Sequence, residues 1–162
     1  MLDIFTVCFF GHRHIDISSY QYLESALEEL IRNLINEKQY VDFLVGRDGD
    51  FDHMVSATIR RVKRNYFDAN SSHICVLPYV RAEFKNNIKA FEDYYDEIEI
   101  CEQSSKAFYK SAIQIRNRCM IDRSDLCVFY VISSNGGSFV SFQYAKAQHK
   151  NILNLAQKQP AG

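Results

Sequence analysis

Apolar residues along this chain come in two rhythms, and the alternation between them lays out the elements. Unbroken runs rich in β-branched and aromatic residues recur at residues 3–10 (DIFTVCFF), 41–45 (VDFLV), 73–77 (HICVL) and 126–132 (LCVFYVI). Runs of that length between turn signals predict strands covered on both faces. Shorter strands are predicted at 97–100 and 151–155. Between the runs the spacing is helical. Leu23, Leu27, Leu30, Ile31, Leu34 and Ile35 form one stripe on a helix over about 19–37, with Ser18 and Ser19 as candidate N-caps. Further helices are predicted over 51–66, 106–121 and 139–149, while 79–91 reads as irregular or as a short helix. Without an internal repeat or a long linker, residues 1–156 read as one domain, followed by a polar, frayed tail at 157–162.

Strands alternating with amphipathic helices call for an α/β fold: a Rossmann-like open, mainly parallel sheet with helices on both faces. Turn residues follow its strands. Gly11-His12-Arg13 comes after the first, Gly46 to Gly49 after the second, Pro78 after the third, and Ser133-Ser134-Asn135-Gly136-Gly137-Ser138 after 126–132. In an open parallel sheet these carboxyl ends share one rim, where ligands bind at the switch in strand order. Small residues with free N–H groups between a strand and a helix form an anion-binding corner. Arg116, Asn117 and Arg118 stand on the preceding helix, so a phosphate-sized anion fits between helix and corner. Valine at Gly137 is expected to close that corner, filling the anion's approach and straining a positive-φ backbone.

Composition narrows the partners. The chain has 162 residues, 47% of them hydrophobic, and a net charge of −1, so no global basic field advertises nucleic acid. No apolar run reaches the roughly 18 residues that span a bilayer. The first ten residues carry Asp3 and no basic segment, so no signal peptide is read and a cytoplasmic location is expected. Cys8, Cys75, Cys101, Cys119 and Cys127 contain no CxxC pair and read as reduced structural thiols rather than disulfides or zinc ligands. His12 and His14 lack a completing cluster, and Asp48, Asp50 and Asp52 do not continue into a calcium loop, because its twelfth position is Ile59. No metal and no cofactor is expected. The basic run Arg60, Arg61, Lys63 and Arg64 reads as a solvated helix face.

Several short motifs then appear in order: Phe10-Gly11-His12-Arg13, Arg116-Asn117-Arg118-Cys119-Met120, Ser124-Asp125, Gly136-Gly137-Ser138, Tyr144-Ala145 and Ile152 to Leu155. Their order resembles the SLOG superfamily of Rossmann-like domains, which includes LOG-type nucleotide phosphoribohydrolases and the DNA-processing protein DprA. Within it, the small YpsA-like bacterial proteins look nearest. The resemblance implies a module that binds or senses a nucleotide or nucleotide-derived phosphate ligand. Its site residues would be Gly11, His12, Arg13, Gly46, Gly49, Arg116, Asn117, Gly136, Gly137 and Ser138. Arg13 and Arg116 would hold the phosphate and Asn117 would orient it or the sugar.

One departure bears on catalysis. LOG enzymes carry Pro-Gly-Gly-x-Gly-Thr-x-x-Glu with a catalytic Glu, and here Ser141 stands in its place. A hydroxyl is no general base near neutral pH without a partner. Hydrolysis of a nucleoside monophosphate would therefore need another carboxylate, such as Asp52, Glu83 or Asp122. A DprA-like DNA-binding module is the third reading; the near-zero net charge speaks against it and the Arg60 to Arg64 face for it. Helix faces beside such sheets also allow a two-fold homodimer.

Overall fold

A computed structural model describes residues 1–66 and 69–158. Six strands form a single sheet: β1 (Ile4–Gly11), β2 (Tyr40–Val45), β3 (Ser71–Leu77), β4 (Glu97–Ile100), β5 (Leu126–Tyr130) and β6 (Ile152–Asn154). The order is β4-β3-β2-β1-β5-β6, and every neighbouring pair is parallel. The chain steps outward from β1 to β4, then returns to lay β5 on the other side of β1. The switch in strand order therefore falls between β1 and β5, where Cys8 stands opposite Cys127 and Gly11 opposite Tyr130.

Two helix layers cover the sheet, and the pleat sorts residues between them. Val7, Phe9, Phe43, Val45, Cys75, Leu77, Val128 and Tyr130 point to one face. There they meet α1 (Tyr20–Glu37), α2 (Asp50–Tyr66) and α4 (Ile88–Tyr94). Cys8, Phe10, Leu44, Ile74, Val76, Cys127 and Phe129 point to the other. That face is covered by α6 (Tyr109–Asp122) and α7 (Gly137–Ala147). Two single-turn helices, α3 (Ala82–Lys85) and α5 (Glu102–Ser105), complete the set. The expected stripe on α1 is realised: Leu23, Leu27, Ile31, Leu34 and Ile35 are buried.

The boundaries depart from the sequence pattern for local reasons. Asp16, not Ser18, supplies a side-chain cap, accepting the Ser18 N–H at the head of a 3-10 turn that leads into α1. The helix expected over 106–121 starts at Tyr109, because Phe108 is extended (φ −61°, ψ 133°) and α5 takes the preceding turn. The strand expected to reach Ile132 stops at Tyr130. Val131 gives its N–H to the Asn154 side chain, and Ile132 gives its N–H to His12. Residues 79–91 contain α3 and most of α4, whose Phe84 and Phe91 rings pack edge to face. Of the tail expected to fray, 159–162 lie outside the described residues.

Candidate functional site

A cleft of about 550 Å³ opens at the carboxyl rim over the β1–β5 switch. Its base is set by three close approaches. Any Cβ on Gly11 would lie 2.3 Å from the Phe51 ring, so only glycine lets β1 turn against α2. A Cβ on Gly49 would lie 2.5 Å from the Arg13 Cα, and the Asp50 N–H bonds the Arg13 carbonyl at 2.8 Å. A Cβ on Gly46 would press on Asp52 Oδ2 at 3.0 Å and an Arg116 guanidinium nitrogen at 3.3 Å. The loops after β1 and β2 are thus locked together by backbone contact, and Gly46 leaves room for the polar floor.

Arg116 organises that floor. It is 2% exposed although it carries a charge. Its Nε donates to Asn117 Oδ1 at 2.9 Å, one terminal nitrogen to the Val76 carbonyl at 2.7 Å, and the other to Asp48 Oδ2 at 2.7 Å. Asp48 also accepts from Arg81 at 2.8 Å. Burial pushes the Asp48 carboxyl up, but the guanidiniums of Arg116 and Arg81 outweigh it and hold it below the usual carboxylate range. Asn117 in turn donates to Ser141 Oγ at 3.1 Å, stitching α6 to α7. Arg116, expected to hold the phosphate, and Asn117, expected to orient it or the sugar, are therefore committed to the frame, while both still line the cleft.

Asp52 completes the floor. Its Oδ2 accepts the Asp48 N–H at 2.8 Å, reaching back from the first turn of α2 in the manner of a capping box. Burial pushes its carboxyl up to about 6 against that hydrogen bond, and the neighbouring Asp48 carboxylate adds to the rise. Of the three carboxylates considered for hydrolysis, Asp52 lines the cleft. Glu83 is paired with Arg47 at 3.0 Å, and Asp122 accepts the Tyr144 hydroxyl on a different groove.

The opposite wall is the start of α7. Gly136 has φ 92°, so the positive φ expected at Gly137 belongs to its neighbour; Gly137 is the first helical residue. The first residues of α7 line the cleft, and no side chain caps the start of the helix. Ser138 turns its hydroxyl away to the Gly11 carbonyl. His12 lines the cleft while its Nε2 accepts the Ile132 N–H at 2.9 Å, and burial lowers its pKa. Arg13 is exposed at the mouth. Gly11, Gly46, Gly136, Gly137 and Ser138 also line the cleft, whereas Gly49 stands behind it as a spacer for Arg13.

Lys110, Ile113 and Gln114 were not among the expected site residues, yet they line the same wall as Asn117. The signal was present: 110, 113, 114 and 117 follow the i, i+3, i+4, i+7 rule for one face of α6. Gln114 Nε2 donates to the Gly137 carbonyl at 3.4 Å. No metal-holding group of three or more His, Cys, Asp or Glu occurs among the described residues. No helix there is long and apolar enough to cross a membrane.

By sequence, no family model and no curated protein matches the chain. By structure the neighbours are clear. The chain has the fold of DNA processing protein A. With DprA from Streptococcus pneumoniae it shares a TM-score of 0.64 at 15% identity, covering 92% of this chain and 49% of that one. With the Helicobacter pylori protein, described for its single-stranded DNA binding mode, the TM-score is 0.61 at 18% identity, over 91% of this chain and 63% of that one. A structural-genomics target, TM1055, gives 0.58 at 17% identity, over 91% and 72%. The chain thus spans about half of one DprA and less than two thirds of the other. DprA is among the SLOG proteins whose motif order this sequence resembles, and the fold agrees with that resemblance.

Proposed function

We propose that the rim cleft binds a nucleotide or nucleotide-derived phosphate ligand, and that the protein is a binding or sensing module of the YpsA-like kind in the cytoplasm. The observation that carries this reading is the pairing of two unlike walls across one cleft. The uncapped start of α7, with Arg13 and Lys110 nearby, favours a phosphate. The Asp48–Asp52 floor favours hydroxyl or amino donors. A sugar phosphate has both ends; inorganic phosphate has one. Titration calorimetry with nucleoside monophosphates, ADP-ribose and inorganic phosphate tests the proposal. Saturable binding of a nucleotide, weaker for phosphate alone and weakened by Arg13→Ala, is expected. No heat from any of these ligands overturns it. Arg116→Ala is the poorer probe, because Arg116 also holds the frame.

A second reading, N-glycosidic hydrolysis, is favoured by Asp52 alone: a carboxyl with a pKa of about 6 inside the cleft suits acid–base work. Release of free base from nucleoside monophosphates, lost in Asp52→Asn, would move the protein into that class. DNA binding has less support, because the basic helix face is partly neutralised. Arg61 pairs with Glu28, Lys63 with Asp96, and Arg60 lies over the Tyr94 ring. A salt-dependent gel shift with single-stranded DNA would revive it.

A further inference from the structure

A second groove, of about 410 Å³, lies on the α5–α6 side of the sheet and is lined by Cys101 and Cys119 among others. Cys101 directly follows β4 at the head of α5, and its N–H is bonded to the Leu77 carbonyl at 2.9 Å. Cys119 is on the last turns of α6, half-buried. Helices α5 and α6 pack together, and the two thiols are neighbours in the wall of this groove. The other neighbouring pair, Cys8 and Cys127, sits opposite in adjacent strands with both residues at 0% exposure. One pair of thiols is sealed in the core; the other lines an open groove, with Cys119 half-buried and Cys101 at 8% exposure.

We propose that Cys101 and Cys119 are a redox-active dithiol, closing to a disulfide by exchange with a small neutral or cationic disulfide. The charge preference follows from the groove wall: Glu99 is paired with Arg123 and Glu102 with Lys106, which leaves Asp122 with no ion pair among the described residues. Cys101 is the attacking thiol. Burial alone would raise its pKa, but the Ser104 amide and the Cys119 thiol beside it bring it below the ordinary value. Burial and the Cys101 neighbour push Cys119 up to about 11. The Cys101 thiolate attacks one sulfur of the disulfide RSSR, that S–S bond breaks, and RS⁻ leaves and is protonated. Cys119, losing its proton to water, attacks the Cys101 sulfur and expels the second RS⁻. Two protein thiols are oxidised by two electrons, and RSSR is reduced to two RSH.

The test is native incubation of the full chain with hydroxyethyl disulfide, followed by alkylation and tryptic mapping. Lys106, Lys110, Arg116 and Arg118 lie between the two cysteines, so trypsin separates their peptides unless a disulfide joins them. The expected result is a joined pair of peptides carrying Cys101 and Cys119, released by dithiothreitol, with Cys8 and Cys127 alkylated only after unfolding. Cys119→Ser should instead retain a stable mixed disulfide on Cys101. Unreacted thiols, a persistent mixed disulfide in the wild-type chain, or a Cys119→Ser chain that takes up no adduct would each overturn the proposal.

Discussion

The two helix layers of this molecule solve different problems. On one face, α1 and α2 present apolar side chains at most inward positions, Leu23, Leu27, Ile31, Leu34 and Ile35, then Phe51, Met54, Val55, Ile59 and Val62, with Ser56 and Thr58 as the buried exceptions on α2. On the other, the inward residues of α6 include Arg116 and Asn117, and those of α7 are Ser141 and Ala145. The first layer is held by burial, which is non-directional and tolerant of small shifts. The second is held by hydrogen bonds between groups that must each find a partner. A parallel sheet needs both faces covered, but only one face has to be uniformly greasy. Polar residues on the other can be spent on shaping the rim.

The largest expected effect tests the apolar layer. Leu27→Ala removes a fully buried side chain facing the sheet and should cost about 3–4 kcal/mol in urea unfolding, with nucleotide affinity unchanged. A loss of affinity equal to the loss of stability would erase the division between the layers. Arg116→Ala tests the polar layer. It leaves the Val76 carbonyl and Asn117 Oδ1 unsatisfied and Asp48 with Arg81 alone, for a cost of about 2–3 kcal/mol together with loss of ligand binding. If stability is untouched, the guanidinium is not the frame of the cleft.

Asp52→Asn sharpens the comparison through pH. The folded Asp52 carboxyl, at about 6, is a stronger proton binder than the unfolded one, near 3.9. Protonation therefore favours the folded state: its contribution is fully present below about pH 4, fades between 4 and 6, and is absent above. Asparagine keeps an acceptor for the Asp48 N–H and does not titrate. The variant should gain on wild type as pH rises from 4 to 7, by roughly 1–2 kcal/mol where linkage alone sets a ceiling near 3. Thermal melts at both pH values check it; parallel shifts would mean that Asp52 is not desolvated.

How much of this was legible beforehand follows the same division. The strands and α1 announce themselves, because burial writes a period into the sequence and nothing else needs to be known. The rim was legible only as a set of glycines. Gly11 and Gly49 read as turn and ligand-site residues, whereas their small size is demanded by Phe51 and Arg13, which only the packed loops bring near. Arg116 read as a ligand contact because its partner, Asp48, is 68 positions away. Gln114 and Lys110 were visible in principle, one and two turns along α6 from Asn117, but polar periodicity is hidden among ordinary solvent-facing residues. Positive φ at Gly136 rather than Gly137 is a one-residue distinction that a Gly-Gly pair cannot announce.

That distinction sets the next prediction. A Cβ at Gly137 would meet only the tip of Gln114, at 3.2 Å, so Gly137→Val should cost about 1 kcal/mol or less in stability. Its methyl groups would still crowd the first amides of α7, and calorimetric binding of nucleoside monophosphates should fall at least tenfold. Full affinity in this variant would make the start of α7 a structural turn.

The smallest effect on stability, and the cleanest on function, belongs to Arg13→Ala. The Arg13 backbone is what the frame uses: its carbonyl holds the Asp50 N–H, and its Cα packs on Gly49. Alanine preserves both. The side chain is exposed and makes no ion pair among the described residues, so the melting curve should shift by less than about 0.5 kcal/mol. Yet a guanidinium at the mouth of an anion cleft forms charge-assisted hydrogen bonds worth about 1.5–3 kcal/mol each. Nucleotide affinity should therefore drop roughly tenfold to a hundredfold, and the remaining binding should depend less steeply on salt. Lys110→Ala, on the opposite helix, should repeat the pattern more weakly, since an ammonium makes no bidentate contact with phosphate. Unaltered affinity in both variants would leave the α7 amides without a charged partner and remove phosphate from the reading of this cleft.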